Sequence, residues 1–134
     1  MSESSGQVEI QSETDVLQTR QRARNAAEKA GFGTTDITRI VTAVSELARN
    51  IHLYADEGVM EWDHISNNSR TGLTFVFKDD GPGIADPDAA LEGEFSTSNG
   101  MGRGLSGTQT LMDEMEIDTE QGVGTTITIT KWHS

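Results

Sequence analysis

Between Ile37 and Ile51 the chain carries the pattern that most limits how it can fold. Apolar residues recur at Ile37, Ile40, Val41, Val44, Leu47, Ala48 and Ile51, which is the three-and-four spacing of one helical face. A stripe this wide has to be laid against another layer, and the remaining sequence supplies strands for it. Thr35 is expected to cap this helix and Asp36 suits the positive end of its dipole; the pattern runs to about Ala55 and stops near Gly58. Glu46 and Asn50 stand one turn apart and share a face. At about 100° per residue that face points nearly opposite the apolar stripe, so pattern alone places both in solvent.

The flanking segments read as follows. Residues 1–7 form a disordered polar tail, after which Val8 and Ile10 alternate with polar neighbours as a short edge strand. Thr14 or Asp15 caps a first helix that runs to about Ala30, with Gly31 in the stop position. Arg20 and Arg24 share one face of it, either as a solvated surface or as a docking face for an acidic partner. Residues 59–67 have a strand core in Met60, Trp62 and Ile65, and 67–72 form a hairpin turn into the β-branched and aromatic run Leu73-Thr74-Phe75-Val76-Phe77-Lys78. One helical turn is expected within 86–93 and a mobile loop over 94–101. A helix follows over 105–115, then strands over 115–120 and 125–132 around Gly122-Val123-Gly124. Trp62 and Trp132 read as packing residues. This order predicts an α/β two-layer sandwich, a mixed β-sheet with helices on one face, forming a single domain over 8–134.

Composition narrows the function. With 22 acidic against 10 basic residues the net charge is −12, which repels a phosphate backbone and excludes nucleic acid as the expected partner. The same field opposes any anionic nucleotide unless local geometry or a metal overcomes it. There is no cysteine, so disulfides, thiolate metal sites and a thiol nucleophile are excluded. No run approaches the roughly 20 apolar residues of a spanning helix, and the polar, acidic start has no signal pattern; a cytoplasmic protein is expected, with no membrane partner. His52, His64 and His133 have no ligand-like spacing and read as incidental.

Four short segments carry chemistry. Asp79-Asp80-Gly81-Pro82-Gly83-Ile84 stands at the carboxyl end of a strand, where α/β folds bind ligands; its glycines let backbone approach a ligand and its acids offer fixed acceptors. Gly100-Met101-Gly102-Arg103-Gly104-Leu105 places alternate glycines before a helix, where free N–H groups and the helix dipole favour an anion. It is neither a dinucleotide fingerprint nor a Walker loop. Glu46 and Asn50 suit a metal-and-water task, an amide oxygen for magnesium with a carboxylate one turn away to accept a proton. Gly122-Val123-Gly124-Thr125 is the fourth.

Taken together and in this order, the segments resemble the GHKL superfamily of ATP-binding domains, shared by histidine kinases, gyrase-type ATPases, Hsp90 and bacterial anti-sigma serine kinases. Ser45-Glu-Leu-Ala-Arg-Asn-Ile51, Asp80-Gly-Pro-Gly-Ile84, Glu94-Phe-Ser-Thr-Ser98 and Leu111-Met-Asp-Glu114 look closest to the stressosome switch kinases of the serine-kinase branch. The resemblance implies Glu46 as general base and Asn50 as magnesium ligand. It implies Asp79 as acceptor for the adenine amino group, with Gly81 and Gly83 shaping the base pocket and Thr125 approaching from the sheet. Gly100, Gly102 and Gly104 would line the triphosphate, with Arg49, Ile84, Met101, Arg103 and Leu105 completing the ATP-binding set. It further implies a covering of the Glu46–Asn50 face by the segment between the glycine motifs. Arg103 and Ser106 stand where smaller or stiffer residues are expected. The expected function is a Mg-ATP-dependent protein-serine kinase that phosphorylates STAS-domain antagonist or scaffold proteins and, on release, activates a PP2C-type phosphatase. The alternatives are an anti-sigma factor that sequesters a sigma factor directly, and a plain ATPase clamp.

Overall fold

A computed structural model describes residues 5–55, 57–67, 70–81, 107–120 and 122–133. Chain order is β1 (Ser5–Ile10), α1 (Glu13–Lys29), α2 (Thr34–Tyr54), β2 (Gly58–Asn67), β3 (Arg70–Asp79), β4 (Glu114–Glu120) and β5 (Gly124–His133), with a further helical segment at residues 107–111. The strands form one sheet in the order β1-β2-β3-β5-β4.

Every pairing in that sheet is antiparallel, so the sheet is not mixed as expected. β3 and β4 do run the same way, but β5 lies between them and pairs antiparallel with each. The final hairpin fills a gap that a direct crossover would have closed with a parallel pair.

Register gathers apolar residues from all five strands on one face. Val8, Met60, Phe77, Ile127 and Ile117 form one cross-strand row; Trp62, Phe75, Ile129 and Met115 form the next. Against these rows lies the predicted stripe of α2, with Ile37, Ile40, Val41, Val44, Leu47, Ala48 and Ile51 all buried. At about 1.5–3 kcal/mol for each large side chain fully buried, this contact is the main stabilising layer. α1 contributes mostly small side chains, Ala23, Ala26 and Ala27 beside Val16 and Thr19, and the Thr19 hydroxyl donates to Asp15 O at 2.8 Å.

Several boundaries differ from expectation, each for a local reason. β1 begins at Ser5, paired with Asp63, so residues 5–7 belong to the sheet and not to a tail. Ser12, not Thr14 or Asp15, caps α1 by accepting from Asp15 N–H at 3.3 Å, while Asp15 accepts Gln11 N–H at 2.9 Å; the two acceptors satisfy neighbouring free amides. Gly31 does end α1, with φ 89°; its N–H donates to Glu28 O and that of Phe32 to Ala27 O, a Schellman closure that requires a left-handed residue. Gly33, not Thr35, is the cap of α2. The 107–111 helix stops four residues before Met115, because Asp113 N–H turns to Thr130 O at 3.0 Å.

Trp62 packs in the core as expected, 6% exposed, whereas Trp132 faces outward, with Arg70 4.4 Å over its ring. Two histidines are not incidental. His64 Nε2 meets Ala26 O at 3.2 Å and His133 Nε2 meets Gly31 O at 2.8 Å, so both tie the carboxyl end of α1 to the sheet. The turns expected over 86–93 and 94–101 lie outside the described residues.

Candidate functional site

β3 delivers Asp79 to the end of the sheet, and the next two residues leave it in a turn closed by the Asp79 side chain. Asp79 Oδ1 accepts Gly81 N–H at 2.8 Å, and the Thr125 amide also donates to this carboxylate. Burial pushes the Asp79 carboxyl above its ordinary value, the two amide donors pull it back, and neighbouring Asp80 adds to the rise. The result is a half-buried, oriented acceptor at a strand end.

The space around Asp79 is set by glycines. A side chain at Gly124 would collide with Asp79 O, and one at Gly81 would meet Ala55 Cβ at 2.6 Å. One at Gly58 would meet Ile51 Cγ2 at 2.9 Å. β2, β5 and the carboxyl half of α2 thus close on the Asp79 turn at backbone contact. Gly58 and Gly124 shape the site through strand register, Gly58 opposite Asp79 and Thr125 opposite it on the other side. No local signal in the sequence marks that role for Gly58, whereas Gly124 belongs to the fourth motif. Thr125 is buried, 7% exposed, and its hydroxyl lies 2.9 Å from that of Thr119 on β4.

Gly124 adopts φ +150°, so Gly124→Ala meets both backbone strain and the Asp79 carbonyl. Overpacking of this kind costs about 1–3 kcal/mol, and the thermal midpoint is expected to fall by roughly 5 °C or more. A midpoint within 1–2 °C of wild type, on the same scale, would show that the turn yields freely.

Glu46 and Asn50 are half-buried on α2, so the solvent placement read from pattern holds fully for neither, and Arg49 is exposed. Asn50 Nδ2 is buried with no hydrogen-bond partner among the described residues. Such an orphan costs about 1–3 kcal/mol unless something accepts from it. The Asn50 amide oxygen is the hard donor that magnesium prefers, so this residue fits a site at which a metal is held mainly by a nucleotide's own oxygens. Among the described residues there is no cluster of three or more His, Cys, Asp or Glu that could hold a metal by itself.

Asp79, Gly81 and Thr125 are brought together, with the end of α2 that follows Asn50 against them. Gly83, Ile84, Gly100, Met101, Gly102, Arg103, Gly104 and Leu105 lie outside the described residues. Arg20 and Arg24 line a shallow groove with Leu17, Gln21 and Val41. Among the described residues no helix is long and apolar enough to cross a membrane.

A family model described as a histidine kinase-like ATPase domain matches residues 11–131. The chain is 46% identical over 125 residues to the serine/threonine-protein kinase RsbT of Bacillus subtilis (strain 168), covering 93% of this chain and 94% of that one. It is 33% identical over 103 residues to the anti-sigma F factor of Thermoanaerobacter sp. (strain X514), covering 72% and 71% respectively. The crystal structure of the RsbU and RsbW domains of Rv1364c from Mycobacterium tuberculosis superposes with a TM-score of 0.62 at 17% identity. That match covers 96% of this chain and 33% of the other, and it speaks to the fold alone.

Proposed function

Because the chain belongs to the family of histidine kinase-like ATPase domains, we propose that it is a magnesium-ATP-dependent protein-serine kinase in the control of a sigma factor. The observation that carries this reading is the 46% identity to a serine/threonine-protein kinase across 93% of the chain. The finer assignments are that it phosphorylates STAS-domain antagonist or scaffold proteins and that, once released from them, it activates a PP2C-type phosphatase.

In this reading Asp79 accepts from the adenine amino group, and the glycines around it admit the flat base where side chains would not. Glu9, Glu57, Lys78 and Asp80 gather beside Asp79 at the same end of the sheet, with Glu9 and Lys78 on the face turned away from the helices. The triphosphate then extends towards Asn50 and the Gly100–Gly104 motif. Magnesium would supply neutralisation of the charge that builds in transfer. Asn50 would hold that ion through its amide oxygen. Glu46 takes the proton of the attacking serine hydroxyl as its oxygen bonds to the γ-phosphorus and ADP leaves.

The experiment is incubation of the chain with γ-labelled ATP, with and without serine-bearing STAS-domain proteins. Label is expected on a partner serine. Abundant free phosphate with no labelled protein would replace the kinase by an ATPase. A second reading, direct sequestration of a sigma factor, is favoured by the 33% identity to an anti-sigma F factor; stable co-elution with a sigma factor, dependent on nucleotide, would establish it beside or instead of the first.

A further inference from the structure

Asp79, Thr125 and Thr119 stand side by side across three strands. Register sets Thr125 of β5 opposite Asp79 of β3 on one side and opposite Thr119 of β4 on the other. Two residues along the same strands, Phe77, Ile127 and Ile117 form an apolar row against the helices. Strand alternation therefore turns all three polar side chains to the helix side of the sheet, at the edge of the core. Thr125 is buried and Thr119 half-buried. A carbonyl fixes the direction of the hydroxyl chain that joins them. Thr119 Oγ1 lies 3.2 Å from Gly124 O and 2.9 Å from Thr125 Oγ1. A carbonyl oxygen only accepts, and a hydroxyl has one proton. Thr119 therefore donates to Gly124 O, because the opposite orientation would leave two oxygens facing each other with no hydrogen between them. Its lone pairs remain to accept from the Thr125 hydroxyl.

With its one hydrogen committed to Thr119, the Thr125 hydroxyl can only accept from a ligand. The Asp79 carboxylate beside it, held by the Gly81 and Thr125 amides, is an acceptor too. Two adjacent acceptors require hydrogens on the ligand. The 6-amino group of adenine brings two, whereas a 6-oxo purine presents an oxygen there, and acceptors that face an acceptor in a desolvated site go unpaired. We infer that Thr119 is a positioning residue for base selection: by taking the Thr125 proton it holds that hydroxyl as an acceptor and so discriminates a 6-amino purine from a 6-oxo purine. Asp79 favours the amino group in any case. What Thr119 adds is that Thr125 cannot turn and donate to a 6-oxo oxygen. The inference rests on the proposed ATP reading, in which Thr125 borders the base.

The test titrates the full chain with ATP and with ITP, which carries oxygen at position 6, for wild type, Thr119→Val and Thr119→Ser, with the thermal midpoint of each. Val keeps the branched shape and removes the hydroxyl; Ser keeps the hydroxyl. A hydrogen bond gained or lost in a binding site changes affinity about three- to tenfold, so wild type is expected to prefer ATP by about tenfold or more. Thr119→Val is expected to shrink that preference about three- to tenfold, mainly through tighter ITP as the released Thr125 hydroxyl turns to donate, and Thr119→Ser to keep most of it. An ATP-to-ITP ratio unchanged in Thr119→Val, with both nucleotides weakened together in step with the midpoint or neither weakened, would overturn the role, and so would a Thr119→Ser that loses the preference as Val does. If Thr119→Val does not fold, Thr119→Ala decides by the same ratio, a reduced preference supporting the role and a constant one overturning it. Wild type that binds ATP with no preference over ITP would overturn this inference and leave the ATP reading standing, whereas wild type that binds neither would remove the ATP reading itself.

Discussion

Glu46→Gln is expected to abolish most phosphate transfer to the partner serine while ATP remains bound. Gln matches Glu in shape, and Glu46 is half-buried on a helix whose buried stripe lies on other positions, so the fold has no reason to respond. What disappears is the capacity to take a proton. General-base catalysis contributes about 10²–10⁴-fold, and the transfer rate should fall within that range, with the ATP dissociation constant within about threefold of wild type because a carboxylate facing a tetra-anion contributes little to ground-state binding. The measurement is single-turnover label transfer at saturating ATP, paired with calorimetry. Transfer at the wild-type rate would strip Glu46 of the role. Loss of both transfer and ATP binding would make it a binding residue instead, since the two effects separate only when the group acts in the transition state.

How far this site could be read from the chain alone depended on whether its parts are local. The α2 stripe is a local signal, and every one of its seven residues proved buried. Glu46 and Asn50 were singled out by chemistry against their periodicity, because a helical wheel reports only which face meets the core and not what other segments cover. Asp79 and Gly81 were legible as a turn. Gly58 was not, and Gly124 was legible only as part of the Gly122–Thr125 motif, since their closeness to Asp79 arises from strands that pair across tens of residues.

The sheet order was hidden for the same reason. Placing β5 between β3 and β4 is a choice among pairings of similar local propensity, decided by which rows of Ile, Phe and Met close against α2. The burial of Lys131 was equally invisible: nothing local in a β-branched strand tells that its ammonium is covered and donates to Leu111 O.

Asp79→Asn should divide stability from function. An acceptor lost from a charged hydrogen bond costs about 1.5–3 kcal/mol, so ATP affinity is expected to fall roughly ten- to a hundredfold. Stability should scarcely suffer, and its pH dependence shows why. Burial raises the Asp79 carboxyl above its ordinary value of 3.8, more than the Gly81 and Thr125 amides lower it. Its stabilising contribution is therefore complete below that unfolded-state value and is lost as pH rises through the folded one. Near neutrality the ionised group costs stability, and Asn removes the charge while keeping one oxygen to accept from an amide. Turning an NH₂ towards the other amide costs about 1 kcal/mol in return. The thermal midpoint of Asp79→Asn is thus expected within a few degrees of wild type at pH 7, and the mutant-minus-wild-type difference is expected to be more positive at pH 7 than below 3.8. Calorimetry at both pH values and ATP titration at pH 7 check all three statements. Unchanged ATP affinity would remove Asp79 from the base pocket, and a difference that grows more negative with pH would mean that the ionised carboxylate holds the turn together. Should both expectations hold, the chain keeps a destabilising charge at the end of β3, which is what an acceptor kept for a ligand would look like.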